Sequence, residues 1–150
     1  MSNIKLNKIF KTACIASDHA GYKLKEDIKN YLIDKQMSVF DVGPYNNNSV
    51  DYPDYAKKLG NRIKLKKSDV GILVCGSGTG MAISANKIKT IRAAVCYNMK
   101  STRLSRQHNN ANIIALGSRL TNKKLSFKLV ETFLKTKFEG GRHLRRVKKI

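Results

Sequence analysis

The chain has 150 residues, 41% of them hydrophobic, which fits a single globular domain rather than a disordered chain. No stretch approaches the roughly 20 apolar residues of a membrane span, and the first residues lack the apolar core of a signal peptide. Thirty basic and ten acidic residues give a net charge of +20, which would attract nucleic acids and other polyanions. The charge is scattered and no nucleic-acid recognition motif accompanies it, so specific nucleic-acid binding stays a distant alternative.

The cysteines predict a reducing environment. Cys14, Cys75 and Cys96 are odd in number, form no CxxC pair and lie in apolar runs typical of strands. We therefore expect free thiols and a cytoplasmic location.

Short apolar runs alternate with helical patterns along the chain. The predicted strands are Thr12–Ser17, a segment flanked by Val39 and Val42, Val70–Cys75, Arg92–Cys96 and Asn112–Leu116. The predicted helices carry Leu24, Ile28, Tyr31 and Leu32; then, from near Pro53, Ala56, Leu59 and Ile63; then Met81–Lys87, Lys100–His108, and a last pattern over Leu125, Leu129, Val130, Phe133 and Leu134. This alternation predicts α/β architecture with a five-stranded parallel sheet covered by helices on both faces.

Ligands of such sheets bind beyond the carboxyl ends of the strands. The residues there are Ser17–His19, Gly43–Pro44, Gly76–Gly80, Tyr97–Asn98 and Gly117–Arg119.

The turn Gly76–Gly80 is the most informative of these segments. Its glycines allow successive amides to face one point, and the following helix start adds positive potential, so we expect an anion site. A dinucleotide fingerprint needs a third glycine where Met81 or Ile83 stands, so NAD binding is disfavoured.

Single residues near this turn leave alternatives open. Cys75 is either an inert core thiol or a thiolate activated by amides and a helix start. His19 and His108 flank predicted strands, and no histidine pair has metal-ligand spacing, so we expect no metal. Arg142 and Arg146 are four apart and would share a helical face, gripping one phosphate or forming a frayed basic end.

Several segments together resemble the type B ribose-5-phosphate isomerase family, which includes the galactose-6-phosphate isomerase subunits. The matching segments are Ser17–Lys25, Asp51–Ala56, Gly71–Met81, Ala85–Lys87, Arg92–Val95, Leu104–Asn109, Gly117–Arg119 and Phe138–His143. The pairing of Ser105–Asn109 with Gly140–His143 is the most specific. The resemblance implies a single Rossmann-like three-layer α/β/α sugar-phosphate isomerase domain over 1–150. Residues 1–11 would be an N-terminal extension, and the basic tail 138–150 would contribute to the site.

The resemblance also implies roles for residues. Cys75 matches the catalytic base, His108 the acid/base that opens the sugar ring, and Ser77 a member of the loop that binds the reacting oxygens. Matching substrate-binding positions are Asp18, His19, Tyr52, Gly76, Ser77, Gly78, Thr79, Gly80, Asn109, Arg119, Arg142 and Arg146. Some relatives use a glutamate as the base, but the nearby helix here offers only Ser84. His143 receives no role.

The resemblance therefore implies interconversion of ribose 5-phosphate and ribulose 5-phosphate through a cis-enediolate, in the non-oxidative pentose phosphate pathway. It implies no cofactor, and a homodimer or tetramer with active sites shared between subunits. A hexose 6-phosphate (allose or galactose) isomerase is the nearest alternative, and a catalytically silent subunit is a further one.

Overall fold

The computed structural model describes residues 5–6 and 8–150, which form one five-stranded sheet flanked by helices. The strands are β1 (Thr12–Ser17), β2 (Ser38–Asp41), β3 (Val70–Cys75), β4 (Ala93–Val95) and β5 (Ile113–Gly117). The helices are α1 (Tyr22–Asp34), α2 (Tyr52–Lys64), α3 (Thr79–Asn86), α4 (Met99–Asn109), α5 (Lys123–Lys135) and α6 (Arg142–Val147). None of these helices combines the length and apolarity that crossing a membrane requires.

All strand pairs are parallel, in the order β2-β1-β3-β5-β4, which confirms the predicted sheet. The chain moves outward from β1 to β2 on one side, then returns to place β3 on the other side of β1. Strand order therefore reverses between β1 and β3, and a crevice is expected beyond their carboxyl ends.

Two apolar cores, one on each face of the sheet, confirm the three layers. On one face α1 and α5 contribute Ile28 and Phe133, and on the other α2 and α3 contribute Leu59 and Met81. The alternating residues of β3 divide between these cores, and Cys75 belongs to the core formed with α2 and α3. The last residue of β3 thus reaches the carboxyl edge on the side where α3 begins.

Several element boundaries differ from the sequence prediction. Strand β4 has only three residues, and α3 begins at Thr79 rather than at Met81. The glycine-rich turn closes early because Gly78 adopts a positive φ of 78° and caps the helix. The basic tail forms the short helix α6, so Arg142 and Arg146 share a helical face as predicted.

Part of the predicted N-terminal extension packs on the domain. Residues 1–4 and 7 lie outside the described residues. Leu6 is buried in the core, and the Ile9 N–H donates a hydrogen bond to the Leu134 carbonyl at 3.0 Å. The hydrogen bond places Ile9 against the end of α5.

Candidate active site

A cavity of about 440 Å³ opens at the carboxyl edge of the sheet, where β1, β3 and β5 end. Its lining residues are Asp18, Tyr52, Cys75, Gly76, Ser77, Gly80, Arg119 and Leu120. All except Leu120 were predicted as site residues from the sequence. The size suits a small-molecule ligand.

A larger cavity of about 680 Å³ lies at the opposite edge, but its Asp69 and Arg92 side chains are engaged by the protein. The Asp69 carboxylate accepts hydrogen bonds from the N–H groups of Lys11 and Thr12, both at 2.9 Å. The Arg92 guanidinium donates to the carbonyls of Asn109 and Asn110. We therefore place the candidate site in the smaller cavity, where polar groups from three strand ends converge.

Cys75 ends β3 at the bottom of this cavity, with 4% of its surface exposed. The N–H of Gly78 donates a hydrogen bond to Cys75 Sγ at 3.1 Å. This bond holds the sulfur beside the glycine-rich turn. Cys75 thus lies at the border of the core formed with α2 and α3 and also lines the cavity.

The other two thiols are different. Burial raises the pKa of Cys14 to about 12, and burial likewise raises the pKa of Cys96. Both residues are almost completely buried and stay protonated at neutral pH. They are core residues, as predicted for them.

Close packing shapes the turn Gly76–Gly80. A Cβ on Gly80 would lie 2.7 Å from the Tyr52 ring, and one on Gly117 would lie 2.8 Å from the Ser77 backbone. The turn is therefore clamped between α2 and the end of β5, and only glycine permits these approaches. The first amides of α3 have no intrahelical partner, so this turn can bind negatively charged oxygens.

Asp18 and Arg119 place opposite charges at the cavity. Asp18 is 7% exposed, and its Oδ1 accepts the Gly21 N–H at 2.9 Å. Arg119 follows β5; its backbone N–H donates to the Gly76 carbonyl, and its guanidinium packs over Gly76. A carboxylate and a guanidinium there can orient the hydroxyls and an anionic group of one ligand.

His19 and Thr79 are exposed and do not line the cavity. The Nδ1 atom of His19 accepts a hydrogen bond from the Val50 N–H at 3.2 Å, which ties the β1 loop to the segment before α2. Tyr52 is 42% exposed and lies over Gly80 as a wall of the cavity.

The remaining predicted residues lie at the opposite edge of the sheet. Helix α4 starts where β4 ends and runs back for 11 residues, about 16 Å. Its last residue, Asn109, is held by Arg92, which directly precedes β4. The Gln107 carbonyl accepts the Glu139 N–H at 3.1 Å, so the tail also lies there. One chain therefore does not bring His108, Asn109, Arg142 and Arg146 to Cys75.

The sequence prediction missed a close group at this second edge. The imidazoles of His108 and His143 stack with centroids 4.2 Å apart and planes inclined by 11°. Their Nε2 atoms lie 3.9 and 3.6 Å from Glu139 Oε2. Loss of solvent contact and the nearby His108 and Arg142 lower the pKa of His143. Glu139 and His143 lie within the family-like segment, but nothing in their spacing signalled this contact.

A parallel α/β sandwich with a thiol and an amide-lined turn at one strand edge defines an enzyme for small anionic substrates. The family model for the ribose/galactose isomerases matches residues 13–150. A ribose 5-phosphate isomerase from Thermotoga maritima is 53% identical, with a TM-score of 0.91 over 92% of this chain and 95% of its own.

Two further relatives agree. The ribose-5-phosphate isomerase B of Escherichia coli is 40% identical over 93% of this chain and 94% of its own. The Mycoplasma genitalium enzyme, solved with bound ribulose-5-phosphate, is 44% identical, with a TM-score of 0.87 over 92% of both chains. The chain belongs to the ribose/galactose isomerase family and is an isomerase. The predicted Rossmann-like fold is confirmed.

Proposed function

We propose that the protein interconverts ribose 5-phosphate and ribulose 5-phosphate. The observation that carries this proposal is the cavity, in which Cys75 lies beside an amide-lined turn and between Asp18 and Arg119. Relatives that cover nearly the whole chain are named as isomerases of this sugar phosphate. The reaction needs only proton transfer, so we propose no cofactor.

The chemistry divides into ring opening and proton transfer. Ribose 5-phosphate closes into a furanose, so an acid/base must first move a proton between the ring oxygen and the C1 hydroxyl; we assign this to His108. The Cys75 thiolate then takes the C2 proton and becomes a thiol, giving a cis-enediolate, and a proton is returned at C1. Ribulose 5-phosphate cannot form a furanose because its O5 carries the phosphate. Exchange of its C1 proton therefore requires Cys75 but not His108.

The turn Gly76–Gly80 would contribute to catalysis by stabilising the enediolate. Its amides, with the Ser77 hydroxyl, would face the two oxygens of the enediolate as negative charge develops. One such donor contributes roughly 10²–10³-fold to kcat in enzymes that have been dissected this way. The rigid clamp by Tyr52 and Gly117 supports this role, because preorganised donors need no rearrangement during the reaction.

The arginines would bind the phosphate of the substrate, and other polar residues would bind its hydroxyl groups. Arg119 lies at the cavity, whereas Arg142 and Arg146 lie on the exposed face of α6. We assign Asp18, His19 and Asn109 to the sugar hydroxyls. Phosphate binding at a distance from C1 and C2 would orient the reacting end.

We propose that the active site is completed by a second copy of the chain. The two sets of predicted residues lie at opposite edges of one chain, so a single chain cannot assemble them. On the outer side of α3 the apolar Ile83 is 58% exposed, and Leu120 at the cavity and Leu144 on α6 are also exposed. A two-fold interface would cover such residues and bring each cavity to the partner's α4 end.

Mixing two inactive variants tests the shared site. Cys75→Ala and His108→Ala, unfolded together in equal amounts and refolded, should form mixed dimers as half of the population. Each mixed dimer has one site with both groups intact, so about a quarter of wild-type activity should return. No recovery in a mixture shown to contain mixed dimers would contradict the shared site.

Comparing substrates tests the proposed sugar. We expect kcat/KM for ribose 5-phosphate to exceed that for allose 6-phosphate and galactose 6-phosphate by at least about tenfold, since the phosphate grip sets the reach to C1. A preference for a hexose would favour the alternative isomerase.

We also propose a cytoplasmic location. The three buried free thiols support it.

A further inference from the structure

The cluster of His108, Glu139 and His143 has the composition of a metal site. His108 is near the end of α4, Glu139 is in the connection between α5 and α6, and His143 is the second residue of α6. One ligand atom from each residue lies within 4.8 Å of the other two. Two imidazoles and one carboxylate are a donor set that zinc accepts, with a fourth position open.

The distances within the cluster fit an ion better than direct hydrogen bonds. The Nε2 atoms of His108 and His143 are 3.9 and 3.6 Å from Glu139 Oε2, which is longer than a hydrogen bond. Zinc donors at about 2.0–2.2 Å from the metal in tetrahedral geometry stand roughly 3.4 Å apart. Both Nε2 atoms lie near the same carboxylate oxygen. The two rings are stacked with nearly parallel planes, so the imidazoles must tilt toward each other for both nitrogens to bind one ion.

Access and charge also bear on binding. The side chains of His108 and Glu139 are 38% and 49% exposed, so an ion can enter from solvent, while His143, at 9%, is held in place. Arg142 and Arg146 on the same helix oppose a cation. We therefore expect the cluster to bind a metal ion more weakly than a closed four-ligand zinc site does. Such an ion could be bound and released.

We propose that His108, Glu139 and His143 bind Zn²⁺ or a similar divalent transition metal, and that this binding inhibits the enzyme. The inhibitory part rests on the proposed function, because it requires His108 to open the sugar ring. A metal on Nε2 occupies the lone pair that accepts the proton. Isomerisation of the ring-closed aldose should then stop, while deuterium exchange at C1 of ribulose 5-phosphate, which needs no ring opening, should continue.

Direct metal binding to the full-length protein tests the site. A Zn²⁺ titration competed against a coloured chelator should show one ion per chain in the wild type and in Cys75→Ser, which removes the other candidate ligand. Glu139→Gln and His143→Ala should weaken binding at least tenfold, and the exposed Asp34→Asn should not. No binding below millimolar Zn²⁺, or binding lost in Cys75→Ser and kept in Glu139→Gln, would overturn the site.

Activity measurements test the inhibition separately. Glu139→Gln should lose at least tenfold in sensitivity to Zn²⁺, with inhibition of each variant measured relative to its own rate without metal. An active wild type that binds one Zn²⁺ at this cluster without losing aldose isomerisation would overturn the inhibitory role. A wild type that binds Zn²⁺ but isomerises no sugar phosphate would instead contradict the proposed function and leave the metal site standing.

Discussion

Lys25 should be among the most sensitive positions for stability, although it lies outside the cavity. Its side chain is fully buried, and its Nζ contacts Asp41 Oδ1 and Oδ2 at 2.9 and 2.8 Å and the Pro44 carbonyl at 2.7 Å. Glu26 lies 3.1 Å away. Since Gly43, next to Pro44, accepts the Ser17 N–H, this ammonium fixes the turn after β2 against the end of β1.

Lys25→Met keeps much of the side-chain length and removes the charge. Asp41 retains a hydrogen bond from Lys29 at 2.9 Å, but the Pro44 carbonyl loses its charged donor. Removing one partner of a buried ion pair costs about 3–5 kcal/mol. A domain of this size has roughly 5–15 kcal/mol in total, so the variant should fold but with little reserve.

Urea unfolding followed by circular dichroism at pH 7 measures this loss. At roughly 2 kcal/mol per molar urea, the midpoint should fall by about 2 M. Lys29→Met, at a partly exposed lysine of the same network, is the matched control and should cost about 1 kcal/mol or less. A loss below 1 kcal/mol in Lys25→Met, or equal losses in the two variants, would refute the importance assigned to the buried ammonium.

Three further outcomes are expected. Burial raises the pKa of Asp41, but hydrogen bonds from lysines and the Gly43 amide lower it overall. Its stabilisation is therefore complete above about pH 4 and declines at lower pH, so Asp41→Asn should flatten the acid limb of a stability–pH curve. Arg142→Ala should raise KM more than it lowers kcat, and Arg145→Ala should change neither. An unchanged KM in Arg142→Ala would favour the alternative in which the basic C-terminal end does not bind phosphate. Iodoacetamide at pH 8 should modify Cys75 and spare Cys14 in mass spectra of the native protein; modified Cys14 would contradict its burial.

Most of the fold could be predicted from the sequence because the buried strands are continuous apolar segments. Val70–Cys75 is a continuous apolar run, and the structure buries all six residues. Strand order had no such signal, because pairing depends on crossovers rather than on local pattern. The start of α3 was predicted too late because Thr79 and Gly80 lack apolar periodicity, although a positive φ at Gly78 already begins the helix.

The residues that line the cavity could be predicted from the sequence, but the positions of the other site residues in the fold could not. The cavity residues follow strand ends, and the parallel topology brings strand ends together. The separation of His108 from Cys75 follows from the direction of α4, which only the structure makes visible. The contact among His108, Glu139 and His143 joins two segments of the chain, so a search for histidine pairs close in sequence did not find it. Lys25 was missed because lysine is ordinarily a surface residue.

Deuterium incorporation at C1 of ribulose 5-phosphate tests the assignment of Cys75 as the base most directly. Nuclear magnetic resonance in D₂O should show exchange in the wild type and in the matched thiol variant Cys14→Ala. Exchange and isomerisation should both fall by at least about 10²-fold in Cys75→Ala. His108→Ala should lose aldose isomerisation and keep the exchange. Near-normal exchange in a folded Cys75→Ala that still binds the sugar phosphate would contradict the account.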